Sequence, residues 1–120
     1  MKTLVFEFKT PGAGDLVIIN ASAARGGKIS CKRKISGGGK RPLVDAEGLI
    51  TSYEDVPADD GKAIAHDLAG QISREWMPEC VQAKVKDNSL VVNCTDLFTD
   101  VTFTTEVQGN GGTEITMLEF

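Results

Sequence analysis

Only one stretch of this 120-residue chain has a helical period. Ile64, Leu68, Ile72 and Trp76 recur every four residues, with Ala65 and Ala69 widening the stripe. On a helix that spacing makes a single apolar face. Asp59 or Asp60 supplies an N-cap, Arg74 suits the negative end of the helix dipole, and Pro78 stops the run. The pattern predicts one helix from about Asp60 to Met77. A single amphipathic helix has no second helix to pack on, so its face must be covered by a sheet.

The rest of the chain supplies that sheet. Thr3 to Phe8 and Leu16 to Ala21 are β-branched and aromatic runs of strand length. The turn residues Pro11-Gly12-Ala13-Gly14-Asp15 lie between them, so the two are expected to pair as a hairpin. From Lys28 to Ile35, Ile29, Cys31 and Ile35 alternate with Lys28, Ser30, Lys32 and Lys34, which predicts a half-buried strand with a basic outer face. Arg33 breaks the pattern by falling on the apolar side. Gly37-Gly38-Gly39 is expensive to hold in regular structure, so residues 36–42 are expected to form a flexible basic loop. Within Leu43 to Asp55 no period is clean, and Leu49 to Tyr53 alone has the length and composition of a short strand. Two further hairpins are expected, one turning at Asp87-Asn88-Ser89 and one at Gly109-Asn110-Gly111-Gly112. The expected architecture is one α+β domain spanning residues 1–120, a helix on a mostly antiparallel sheet of six to eight strands.

The charge is divided along the chain. Net charge is -4, yet residues 25–41 hold seven basic residues (Arg25, Lys28, Lys32, Arg33, Lys34, Lys40, Arg41) and no acidic one. Residues 42–120 hold four basic and 15 acidic residues. Such polarity points to an electrostatic partner for at least one face. No apolar run reaches the roughly 20 residues of a membrane span. Glu7 and Lys9 interrupt the N-terminal apolar stretch too early for a secretory signal, so a cytoplasmic setting is expected. Cys31, Cys80 and Cys94 are dispersed and odd in number, which fits reduced thiols, with Cys31 and Cys94 as small apolar side chains within strands.

Residues for catalysis are sparse. His66 is the only histidine, and it lies off the apolar helical face. One histidine and scattered cysteines do not make a four-ligand zinc shell, and Asp67 projects in a different direction from His66, as a catalytic triad would not allow. The glycines fail the phosphate-loop pattern, since Lys34 stands where its first glycine belongs and Arg41 follows Lys40. The carboxylate pairs Glu54-Asp55 and Asp59-Asp60 precede the helix, where capping explains them. No enzyme activity, cofactor or metal is expected. The candidate site is instead a partner-binding surface of Arg25, Lys28, Lys32, Lys34, Lys40 and Arg41. Lysines meet phosphates readily, but no aromatic residue lies between Gly26 and Pro42 to stack on bases. Docking on an acidic protein surface, another copy of the chain included, therefore ranks above nucleic acid, and a merely solvated basic face is the bland alternative.

Residues 62–117 carry a resemblance. Ala65, Leu68, Ala69 and Ile72 follow an Ala-rich helical form, and Val81, Ala83, Val85, Asn88, Leu90, Val91 and Val92 a hairpin after it. A segment rich in Thr and Gly completes the set. The pattern resembles structural proteins of bacteriophage tails. That resemblance implies a subunit without an active site that assembles with its own kind and other virion proteins into rings or tubes, in a host cytoplasm. The alternative is a small monomeric module that grips nucleic acid or an acidic protein through residues 28–41.

Overall fold

The computed structural model describes residues 2–24, 27–37, 40–55, 59–76, 80–95 and 100–120. Among them lie one helix and nine strands, in the order β1 (Lys2–Lys9), β2 (Leu16–Ser22), β3 (Lys28–Lys34), β4 (Lys40–Val44), β5 (Ile50–Asp55), α1 (Gly61–Glu75), β6 (Val81–Lys86), β7 (Ser89–Cys94), β8 (Thr102–Gln108) and β9 (Glu114–Glu119). The fold is α+β, as the sequence pattern requires, but the strands divide among three sheets. Their orders are β6-β7-β1-β9, β3-β2-β8 and β4-β5. Every pairing is antiparallel.

The helix forms where its period placed it. Asp60 caps it, its carboxylate accepting from the Ala63 amide at 2.8 Å. Ile64, Ala65, Leu68, Ala69 and Ile72 are buried, and His66 is exposed. The helix ends at Glu75, and Met77 and Pro78 lie outside the described residues. Trp76 is half-buried, its ring edge-on to Phe103 with centroids 6.3 Å apart. The helix packs chiefly on β6 and β3, one strand from each larger sheet. Both sheets and the helix therefore share one core, with Phe6, Ile19, Leu68, Leu90 and Phe103 among its members. Cys31 and Cys94 are buried in it as free thiols. No described helix is long and apolar enough to cross a membrane.

Two of the expected hairpins do not form. β1 pairs with β7 and β9, whereas β2 pairs with β3 and β8. The turn residues of 10–15 and 109–113 instead lie side by side at a corner, between Lys9 opposite Glu114 and Leu16 opposite Gln108. There the ribbon β1-β9 passes out of one sheet and continues as β2-β8 in the other, as strands do at the corners of orthogonal packings. Asp15 holds the corner. It is 1% exposed, and its carboxylate accepts from the Gly111 amide (2.8 Å), the Thr113 amide (3.1 Å) and the Thr113 hydroxyl (2.7 Å). Those hydrogen bonds, the Thr113 hydroxyl first, hold the Asp15 carboxyl below the usual carboxylate range. Glycine is required beside it, since a Cβ on Gly111 would stand 2.7 Å from an Asp15 oxygen. The third expected hairpin, β6-β7, forms as read, with Asp87 at φ 53° in its turn.

The loop expected over residues 36–42 is shorter than its composition suggested. Lys40 to Pro42 belong to β4, and Gly38 and Gly39 lie outside the described residues. β4 and β5 make a two-stranded ribbon in which every residue is exposed except the half-buried Glu54. The chain measures 60 × 27 × 24 Å along its principal axes.

Candidate interaction surfaces

The β3 face develops as the alternation required. Lys28, Ser30, Lys32 and Lys34 are exposed, and Cys31 points into the core. Pairing with β2 and β8 lays out rows across the outer face of this sheet: Lys34–Leu16–Gln108, Lys32–Ile18–Glu106, Ser30–Asn20–Thr104 and Lys28–Ser22–Thr102. Among the described residues no carboxylate forms an ion pair with Lys28, Lys32 or Lys34. A cavity of about 350 Å³ opens over the last two rows, lined in part by Asn20, Ser22, Lys28, Ser30, Thr102 and Thr104. Short side chains on three neighbouring strands leave this hollow, and four of them carry hydroxyl donors.

The remaining candidate residues stand elsewhere. Lys40 and Arg41 are on β4, at the base of the ribbon, and each has an acidic partner there. Lys40 Nζ lies 3.9 Å from Asp55, and Arg41 pairs with Glu54. Arg25 lies outside the described residues. The seven-residue basic run is thus not one surface. It divides into an unpaired lysine row on the body and a neutralised pair on the ribbon.

Arg33, the exception in the strand pattern, joins the two parts. Its guanidinium donates to Asp59 at 2.8 Å and to Asp67 of α1 at 3.4 Å, while its Nε is buried without a hydrogen-bond partner. Asp59 in turn closes the ribbon's stem: its amide donates to the Ser36 carbonyl, and the Ser36 amide donates to its carboxylate, each at 2.9 Å. The Ser36 amide and then Arg33 hold the Asp59 carboxyl below its ordinary range, and the Asp59 hydrogen bond raises Arg33. Gln71 completes the junction by pairing its amide with the backbone N–H and carbonyl of Lys32 (3.1 and 2.9 Å). In effect α1 covers the outer edge of β3 with a side chain that imitates a strand.

Sequence reasoning read only half of the ribbon: the short strand expected over Leu49 to Tyr53 falls in β5, but β4 and its pairing with β5 were not expected. Pro42 lies opposite Tyr53 and, beyond a register shift at Leu43/Val44, Val44 lies opposite Ile50, so the apolar residues meet in cross-strand pairs. Val44 (61%), Leu49 (63%), Ile50 (56%) and Tyr53 (60%) are largely exposed. Its tip is a fixed turn. Asp45 accepts from the amides of Glu47 (2.9 Å) and Leu49 (3.0 Å), its own amide donates to the Leu49 carbonyl, and Gly48 takes φ 83°. The signal was present in Leu43-Val44 and Leu49-Ile50 around an Asp-Ala-Glu-Gly turn. The β4 half went unread because a strand facing water on both sides has no alternation to reveal it.

His66 is exposed, burial pushes the Cys31 thiol up to about 11, and no three metal-ligating side chains gather among the described residues. No family model, curated protein or solved structure matches the chain.

Proposed function

We propose that this protein is a structural subunit that associates with copies of itself, of the kind that builds the ring or tube of a phage tail, and that it is not an enzyme. The ribbon β4-β5 carries this reading. A lone two-stranded hairpin is marginal in water, and here it presents Val44, Leu49, Ile50 and Tyr53 to solvent. Exposed apolar area of that kind marks an interaction site. The unequal charge of the chain and the resemblance of residues 62–117 to tail structural proteins support the same reading. A partner in assembly would cover the ribbon and add the packing it lacks. Sedimentation and native mass across a concentration series are the test: growth of oligomers with concentration is expected, and a monomer throughout would overturn the proposal.

A second reading rests on the unpaired lysines. Lys28, Lys32 and Lys34 present three positive charges along one strand, which suits a polyanion such as nucleic acid. Titration of the monomer with DNA and RNA at low salt separates the two. Tight binding by a chain that stays monomeric favours this second reading.

A further inference from the structure

We infer that the tip of the β4-β5 ribbon of one copy seats on the outer face of the β3-β2-β8 sheet of a second copy, with Asp45 and Glu47 against the row Lys28, Lys32 and Lys34. The inference rests on the self-association reading and names its contact. Charge bookkeeping within the ribbon selects the tip. At the stem Glu54 and Asp55 are matched by Arg41 and Lys40, so of the ribbon's own acids Asp45 and Glu47 are the two without a basic partner among the described residues. On the body, Lys28, Lys32, Lys34, Lys62, Lys84 and Lys86 have no acidic partner among the described residues, and only the first three form a row of three along one strand face. Two unpaired patches of opposite sign therefore lie on one chain, on different sheets.

The two surfaces also match in shape and hydrogen bonding. The tip offers carboxylate acceptors and the exposed Leu49. The sheet offers a hollow of about 350 Å³ with the hydroxyls of Ser22, Thr102 and Thr104 around it and Lys28 in its lining, while the Ser30 hydroxyl donates to Asn20 Oδ1 at 2.8 Å. The turn at the tip is already closed by the Asp45 side chain, so little conformational freedom is lost on seating. A contact between different surfaces of identical copies is heterologous. It leaves one tip and one hollow free at the ends of any string, and so propagates or closes into a ring.

Charge exchange tests the contact. Ala46→Lys with Glu47→Lys reverses the tip while Asp45 keeps the turn, and Lys28→Glu, Lys32→Glu and Lys34→Glu together reverse the row. All five positions are exposed, so thermal melting of each variant should stay close to the parent. Each variant alone sets like charges against each other, and its self-association at low salt is expected to weaken by about a hundredfold or more. Mixed one to one, the two variants restore opposite charges at both kinds of contact, and co-assembly in equal proportions is expected. Either variant assembling alone like the parent would overturn the inference, as would a mixture that stays monomeric. In both cases the parent chain still assembles, so the self-association reading stands. A parent that is monomeric throughout removes both.

Discussion

Asp15 is the residue on which the course of the chain depends. Replacing it with Asn keeps the shape but turns an amide group toward donors that need an acceptor, so Asp15→Asn is expected to lower the melting temperature. Its pH dependence follows from the direction of its shift. A carboxyl whose native value lies below its unfolded value of 3.8 stabilises the fold fully above that value, and the contribution is lost as pH falls from there through the native value. The gap in melting temperature between parent and Asp15→Asn should therefore be widest near neutrality and narrow below about pH 4; a gap that does not change with pH would refute this role. In the helix, Leu68→Ala removes a fully buried side chain and should cost about 2–5 kcal/mol. His66→Ala, at an exposed position, should change stability by less than about 0.5 kcal/mol. Chemical denaturation of both variants checks the pair. At this scale the sequence was most legible for residues whose periodicity is local, as with Leu68 and Cys31. The role of Asp15 was not legible, because its partners Gly111 and Thr113 lie almost a hundred positions away.

Among the elements, the stem of the ribbon gives the clearest expectation. Arg33→Met preserves bulk and removes the guanidinium that holds Asp59. The Ser36 amide, which donates to that carboxylate, should then exchange with solvent faster, while amides in β1 and β7 keep their protection. Unchanged exchange at Ser36 would mean that Arg33 does not hold the stem. The sequence identified β3 and the β6-β7 hairpin because each is defined by neighbours in the chain. It misassigned the pairings of β1 with β2 and of β8 with β9 because a Gly-rich turn serves a hairpin and a corner equally well. Only the buried carboxylate between the two turns distinguishes them. Arg33 was recognised as an anomaly, but the acids that explain it come from the far side of the ribbon and from α1.

For the whole molecule, the body and the ribbon are separable on physical grounds. None of the core side chains comes from residues 40–55. Joining Gly37 to Asp59 through a short Gly-Ser linker should thus leave a folded body that no longer self-associates, measured by melting and sedimentation; loss of the fold would show that the ribbon supports the core. The basic run that dominated the sequence is itself divided by this boundary, which linear charge alone does not reveal. The corner at Asp15 also sets the order in which the chain is able to acquire its structure. Leu4 pairs across to Val92 on one side and Glu119 on the other, so β1 precedes both of its neighbours in the chain by a long interval. Closing loops of that length precedes any gain from the contacts they make, which slows folding. Chains cut before Gly111 lack both β9 and the donors that close the corner on Asp15, and protease should digest them as unfolded. In the four-stranded sheet β6-β7-β1-β9 the strand that comes latest in the chain, β9, lies at an edge, so the sheet is completed at its rim beside the oldest strand.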